Sequence, residues 1–218
     1  MMASTAAAAD CQPIVVELFT SQGCSSCPPA DRLLGELAHR KDIVALGFHV
    51  TYWNGFSWSD PLSRQVSTNR QIAYDQQLTN GQNYTPQMII EGTKDVVGSD
   101  RAAVLAALEA TKPADLAPVM FAADRRSVVI GIGATAPGAK VLLARYLLSS
   151  TTHVGGGENA ARTLTDVNAV EALMVLGGWE GGAESFAIEP PRQGEGVAVL
   201  VQAPDGRMLG AAAIPASG

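Results

Sequence analysis

The stretch from Ile14 to Asp31, which reads IVVELFTSQGCSSCPPAD, constrains the fold more than any other part of the chain. It begins with a run of strand-forming residues, passes through a polar turn with two cysteines, and reaches Pro28 and Pro29. Proline is tolerated at the first helical position because its missing N–H would be unpaired there in any case, so a helix is predicted to begin here. Two cysteines separated by two residues, at a turn from strand to helix, are typical of dithiol–disulfide chemistry.

The positions of Cys24 and Cys27 predict that the two thiols differ. A helix N-terminus has unpaired N–H groups and a partial positive charge, which favour a thiolate and lower a thiol pKa from ~8.5 to roughly 3.5–7.5. We expect Cys24 to lie exposed at the start of the helix and to be the nucleophile, with Cys27 more buried as the resolving thiol. A structural disulfide or half of a zinc site are the other interpretations, although zinc usually needs four ligands and no second such pair is present.

The residues after the cysteines predict a βαβ unit. A helix with a buried leucine stripe ends near His39, and the apolar run Ile43–Val50 is typical of a strand that is buried on both faces. Such a unit has parallel strands and a right-handed crossover, so the carboxyl ends of both strands lie at one edge of the sheet. Cys24 follows one of these ends, and His49 lies near the other, where we expect it to contact the substrate.

The loop Thr51–Asp60 is unusually rich in aromatic side chains for a polar segment. We consider two interpretations: the aromatic residues form a roof over a cleft beside the cysteines, where Trp53 would contact substrate, or they cover the edge of the core. The aromatic residues are Tyr52, Trp53, Phe56 and Trp58.

The next segments predict a helix over 61–78, a strand that begins at Pro86, a short strand over 95–98 and a helix over 100–110. The resulting order, β–α–β–α–β–β–α with a CxxC pair after the first strand, resembles the thioredoxin fold. In that superfamily a cis proline faces the dithiol, and the backbone of the preceding residue pairs with the substrate peptide. The resemblance therefore implies a cis Thr85–Pro86 bond, a catalytic-site role for Pro86 and substrate binding by Thr85.

Two motifs, CSSCPPAD and YTPQMIIEG, resemble an exported thioredoxin-like family that is catalogued as a domain of unknown function. A family segment of the type FHVDYWD is similar to Phe48–Asn54, except that Thr51 and Asn54 stand at acidic positions. A family segment of the type GENAGRTL is similar to Gly157–Leu164, with Ala161 in place of a glycine. The resemblance covers nearly the whole chain and implies no established substrate.

The chain has 218 residues, more than the ~150 of one typical domain, so we expect two domains. The predicted fold class is an α/β thioredoxin-like domain over 12–112, a proline-rich linker over 113–118 and a mostly β, sandwich-like domain over 119–218. The segment 168–176 is ambiguous between helix and strand. In the second half, strands are predicted over 128–132, 140–148, 185–188, 197–202 and 208–214, with a hairpin turn over 204–207.

A charged cluster in the second half, made of His153, Glu158 and Arg162, has two open interpretations. It is either a solvated loop or a loop that leans on the first domain beside the dithiol.

Charge and hydropathy limit the partners and the compartment. The net charge of −6 argues against a nucleic-acid surface, which requires a basic patch, and no apolar run reaches the ~20 residues of a membrane span. The alanine-rich start resembles the small-residue tail of a signal peptide, the alternative being a disordered tail, so we expect a periplasmic or secreted protein.

Cys11 is the third cysteine of the chain and precedes the first predicted strand. Because a strand rises ~3.3 Å per residue, we expect Cys11 to lie roughly 20 Å from Cys24. Cys11 is therefore expected to be a free or adventitiously cross-linked thiol.

These residues support two hypotheses for function. The first is a thiol–disulfide oxidoreductase of the cell envelope that acts through Cys24 and Cys27 on a protein or a small thiol or disulfide, without a cofactor or a resident metal. The second is a copper-binding protein, with His49 or Met88 beside the two thiolates, or a structural or partner-binding protein on the same scaffold. The Ser25–Ser26 dipeptide between the cysteines does not fix the redox direction.

Overall fold

A computed structural model of the chain describes residues 12–55, 57–112, 117–134 and 137–215. In these ranges the first half has the predicted order of elements, and the second half consists of strands. The elements are β1 (Ile14–Thr20), α1 (Pro28–Leu37), β2 (Ile43–His49), α2 (Gln65–Leu78), β3 (Gln87–Ile90), β4 (Lys94–Val97), α3 (Arg101–Glu109), β5 (Val119–Phe121), β6 (Ser127–Ile130), β7 (Ala139–His153), β8 (Thr163–Trp179), β9 (Glu184–Ala187), β10 (Glu195–Gln202) and β11 (Met208–Pro215).

The predicted βαβ unit is confirmed, since β1 and β2 are parallel and their last residues, Thr20 and His49, are paired. The strand β3 runs antiparallel to β1 on its other side, and β4 follows at the edge. The leucines of α1 pack over these strands in one apolar cluster with Val16 and Leu18 of β1. Both strands are buried along their whole length, as expected for central strands that are covered on two faces.

The second half joins the same sheet through β7 and β8, which form an antiparallel hairpin of 15 and 17 residues. The strand β8 also pairs in parallel with β2, where Gly47 lies opposite Ala169. The neighbouring Asn168 donates from Nδ2 to the carbonyl oxygen of Ala45 at 2.8 Å, which satisfies an acceptor at the edge of β2. The full strand order is β11–β10–β7–β8–β2–β1–β3–β4, and the β10–β11 pair has the predicted hairpin arrangement.

The predicted fold class, an α/β thioredoxin-like domain followed by a mostly β sandwich-like domain, is wrong. The described part of the chain is mostly β, with eleven strands and three helices of 9 to 14 residues, and strands of both predicted segments share one eight-stranded mixed sheet. Apolar runs predict that a strand forms but not which strand it pairs with. The ambiguous segment 168–176 is part of β8, which makes the connection, while residues 113–116 of the predicted linker lie outside the described ranges.

The hydrophobic core reflects this shared sheet. One cluster combines Phe19 and Phe48 of the first half with Ala144, Val170 and Leu200 of the second half. A separate cluster lies between the large sheet and a small sheet of order β5–β6–β9. No helix in the described ranges is long and apolar enough to cross a membrane.

Candidate functional site

The candidate site is centred on a disulfide between Cys24 and Cys27, in the turn from β1 to α1. The two Cα atoms are 5.5 Å apart, and the residues are 1% and 0% exposed, respectively. The turn is held by hydrogen bonds from Cys24 N to Ser21 O and from Cys27 N to Cys24 O. The predicted cysteine pair is therefore present in its oxidised form.

The expectation that Cys24 lies exposed at the start of the helix is wrong. The helix begins at Pro28, and Cys27 is the residue that precedes it. Pro28 and the next proline have no N–H, and the N–H groups of Ala30 and Asp31 are bonded to the carbonyl oxygen of Cys27. Because the two prolines fix the first turn, Cys24 lies before the helix, and these N–H groups are not available to it.

The surroundings of the Cys24 sulfur are polar. Cys24 Sγ lies 3.3 Å from Ser26 Oγ and 3.9 Å from the carbonyl oxygen of Thr85. The Thr85–Pro86 bond is cis, as predicted. Trp53 donates from Nε1 to Thr85 Oγ1 at 2.8 Å. The structure thus brings the two cysteines together with three further residues that the sequence predicted for the site, Thr85, Pro86 and Trp53.

The aromatic loop contacts both the dithiol turn and the core, and the predicted substrate contact of Trp53 stays a prediction. Trp53 lies over the dithiol turn, since a Cβ added at Gly23 would be 3.3 Å from the Trp53 Cβ, and it also packs against the main core cluster. The ring of Trp58 contacts Gly155 in the loop that precedes β8. Phe56 lies outside the described residues.

A buried charged cluster lies beneath the dithiol turn and contains the predicted residue His49. His49 Nδ1 is 2.8 Å from Asp60 Oδ2, His49 Nε2 is 3.9 Å from Asp166 Oδ1, and all three residues are buried. Burial alone lowers the pKa of His49, but the hydrogen bond to Asp60 and the surrounding carboxylate charges outweigh it and raise the pKa to about 9. The imidazolium in turn holds the pKa of Asp60 below its usual value, against the effect of burial. Because His49 is buried, its predicted substrate contact stays a prediction.

Asp31 belongs to the same cluster and lies one turn along α1 from Cys27. Its Oδ1 accepts a hydrogen bond of 2.7 Å from the Thr20 hydroxyl. Burial, followed by the charge of Asp166, raises the pKa of Asp31 to about 7. A cavity of about 300 Å³ between α1 and the start of β8 is lined by both aspartates and by Arg32. The site therefore holds a carboxyl group that exchanges a proton near neutral pH.

Gln22 connects the dithiol turn to this cluster. Its backbone N–H donates to Asp60 Oδ2 and its Nε2 donates to Asp166 Oδ2, both at 2.8 Å. The turn that carries Cys24 is therefore tied to two buried carboxylates from distant parts of the chain.

The loop Gly157–Arg162 reaches the dithiol from above. Asn159 is buried, and its Nδ2 donates to the carbonyl oxygens of Gln22 and Cys24 at 2.9 and 2.8 Å. Glu158 Oε2 accepts the backbone N–H of Ser25 at 3.0 Å. Of the two interpretations of the charged cluster, the contact with the dithiol is therefore correct for Glu158.

The two other members of that charged cluster differ. Arg162 donates from Nη1 to Asn159 Oδ1 at 2.7 Å, so it supports the same contact. His153 is exposed at the end of β7, where its Nδ1 lies 3.5 Å from the hydroxyl of Thr163.

The ligands considered for copper are engaged elsewhere. His49 faces Asp60, and Met88 is fully buried in the core cluster under α1. In the part of the chain that the structure describes, no group of three or more His, Cys, Asp or Glu residues is arranged to hold a metal ion.

Residues 15–202 match the family described as "Protein of unknown function (DUF1223)". The chain belongs to the DUF1223 family. This DUF1223 protein is similar to the crystal structure of protein AGR_C_4864 from Agrobacterium tumefaciens, with 30% identity, a TM-score of 0.82, and coverage of 96% of this chain and 97% of that one. It is also similar in fold to HBP35 of Porphyromonas gingivalis, with 13% identity, a TM-score of 0.62, and coverage of 94% and 76%, respectively. No curated protein gave a match to the sequence.

Several residues of this DUF1223 site were not predicted from the sequence. Asp60 stands in the aromatic segment and Asn159 in the GENA segment, so both motifs offered a signal that was not used for these side chains. Asp31 ends the CSSCPPAD motif, whereas Gln22 and Asp166 stand in no pattern that indicates a buried polar side chain. Their roles depend on contacts between strands and loops that are far apart in the sequence.

Proposed function

We propose that this protein is a thiol–disulfide oxidoreductase of the cell envelope that acts through Cys24 and Cys27. The observation that carries the proposal is the disulfide itself, with the Thr85–Pro86 peptide beside its Cys24 sulfur and a buried charged cluster beneath its turn. Disulfides persist in oxidising compartments, which supports a periplasmic or secreted location. The substrate is a protein or a small molecule that carries a thiol pair or a disulfide.

The proposed reaction needs no other oxidant or reductant. A substrate thiolate attacks Cys24 Sγ, the bond between the two cysteines breaks, and Cys27 leaves as a thiolate that takes up a proton. A second substrate thiolate then attacks the substrate sulfur of the mixed disulfide, and Cys24 leaves in turn. Two electrons pass from the substrate dithiol to the protein, and the substrate is released as a disulfide. The reverse sequence reduces a substrate disulfide.

The polar neighbours of each sulfur support separate roles in these steps. The Ser26 hydroxyl, 3.3 Å from Cys24 Sγ, is within reach to donate a hydrogen bond to a Cys24 thiolate. Both cysteines are buried, and burial disfavours a thiolate, so the departure of Cys27 requires a proton. Asp31 lies one turn further along α1, and burial raises its pKa to about 7, so we propose its carboxyl group as the source of that proton. The half-buried rim formed by Thr85 and Trp53 is the proposed substrate-binding surface.

Equilibration with a thiol buffer tests this proposal. The full chain with Cys11→Ser is incubated with mixtures of reduced and oxidised glutathione and then quenched by alkylation. Mass spectrometry then gives the fraction of protein in which the Cys24–Cys27 pair is reduced. We expect a reversible two-electron equilibrium and catalysis of disulfide formation in a reduced peptide substrate by oxidised glutathione, with both activities lost in Cys24→Ser. A folded protein whose disulfide resists excess dithiothreitol, or whose exchange rate equals that of Cys24→Ser, would show that the disulfide is only structural.

A further inference from the structure

The loop Gly157–Arg162 makes polar contacts to the dithiol turn that a simple covering loop would not need. Asn159 is fully buried and donates both Nδ2 hydrogens to carbonyl oxygens of the turn, at Gln22 and Cys24. Arg162 donates to Asn159 Oδ1 at 2.7 Å, so the amide orientation is fixed. The loop is therefore anchored in one position on the turn.

The anchored loop presents the carboxylate of Glu158 to the peptide between the two cysteines. Glu158 Oε2 accepts the Ser25 N–H at 3.0 Å. Hydrogen bonds from the Ser25 side chain and then from its backbone N–H lower the pKa of Glu158, so the carboxylate is ionised at neutral pH. Ser25 directly follows Cys24, and its N–H is one of the donors closest in sequence to the Cys24 sulfur. A donor that is bonded to a carboxylate is not available to a thiolate.

We propose that Glu158 is a positioning residue that makes the Cys24–Cys27 pair more reducing, by occupying the Ser25 N–H and placing a negative charge on the residue that directly follows Cys24. The reduced pair contains a Cys24 thiol that ionises, and a nearby negative charge disfavours that thiolate. Destabilising the reduced form lowers the reduction potential of the pair. This inference rests on the proposed function, since it concerns the same two-electron exchange with a substrate dithiol.

The test compares Glu158→Gln with a matched control on the same background. Glutamine keeps an oxygen that accepts the Ser25 N–H and removes only the charge. The control Glu180→Gln makes the same change of charge at an exposed residue directly after β8. The length of β8 separates this residue from the loop by roughly 50 Å. Both are made with Cys11→Ser, and their equilibrium constants with glutathione are measured at low and high salt.

We expect Glu158→Gln to shift the equilibrium towards the dithiol by roughly threefold to tenfold at low salt, and tenfold corresponds to about 30 mV for a two-electron couple. The pH midpoint for alkylation of Cys24 should fall in the same variant, which a purely structural role would not produce. High salt should reduce the difference because the carboxylate is exposed. Glu180→Gln should match the parent protein.

Equal equilibrium constants for the parent, Glu158→Gln and Glu180→Gln would overturn the inference while leaving the proposed function intact. A parent protein that does not equilibrate with glutathione at all would overturn both. A second variant, Asn159→Ser, removes the anchor of the loop and should shift the potential in the same direction as Glu158→Gln. The double variant should then show little further shift, because the two residues act through one contact. Fully additive shifts would contradict a shared mechanism.

Discussion

Asp31→Asn is expected to stabilise the protein, and the gain should depend on pH. The Asp31 carboxyl is half-buried among the carboxylates of the cluster, and its pKa is raised from 3.8 to about 7, first by burial and then by the charge of Asp166. A raised pKa means that the folded state holds the proton more tightly than the unfolded state. The contribution of the Asp31 carboxyl to the free energy of unfolding is therefore fully present below about pH 4 and is lost as the pH rises through about 7.

The size of the effect follows from the shift in pKa. The interval from 3.8 to about 7 is about three pH units, which corresponds to ~4 kcal/mol at about 1.4 kcal/mol per unit. Partial exposure of the side chain allows solvent to screen the charge, so we expect a gain of about 2–4 kcal/mol above neutral pH. Asparagine retains the oxygen that accepts the hydrogen bond from Thr20, so the substitution removes the charge with little change in shape.

The assay is urea unfolding of the oxidised protein between about pH 4 and pH 8. The difference in the free energy of unfolding between Asp31→Asn and the parent should be near zero at the acid end and should grow as the pH rises. The control Asp205→Asn changes an exposed aspartate in the β10–β11 turn and should stay within about 0.5 kcal/mol throughout. A gain that is constant with pH, or a loss at about pH 8, would refute the argument from the carboxyl charge.

Three further outcomes are expected. Cys27→Ser should accumulate mixed disulfides with substrate thiols through Cys24, detected by mass spectrometry, whereas few such adducts should form in Cys24→Ser; the opposite pattern would exchange their roles. Thiol counting on Cys11→Ser should still show a reversible pair, and loss of the pair would implicate Cys11 in the site. His49→Leu leaves Asp60 buried without its partner and should cost about 3–5 kcal/mol in urea unfolding. Because the pKa of His49 is raised to about 9, this loss should be greatest below about pH 6.5 and should shrink as the pH rises through about 9; a loss independent of pH would contradict it.

The sequence by itself determined the features that depend on neighbouring residues. A CxxC pair brings two sulfurs within bonding distance through one turn, so the Cys24–Cys27 disulfide could be predicted locally. Proline at the start of a strand marked the cis Thr85–Pro86 bond through the family resemblance. Two buried strands joined by an amphipathic helix fix a parallel pair, which placed His49 at the same edge of the sheet as the dithiol.

The contacts between distant segments were decided only by the tertiary structure. The fold class was wrong because the pairing of β8 with β2 merges the two predicted segments into one sheet, and periodicity within a strand contains no information about its partner. The buried cluster of His49, Asp60 and Asp166 also depends on distant contacts, since Gln22 and Asp166 form a hydrogen bond across 144 residues. The covering of the dithiol turn also depended on such contacts, because Asn159 binds the carbonyl oxygen of Cys24 from 135 residues away. Local patterns identified the reactive pair, whereas long-range packing set the burial and the charges around it.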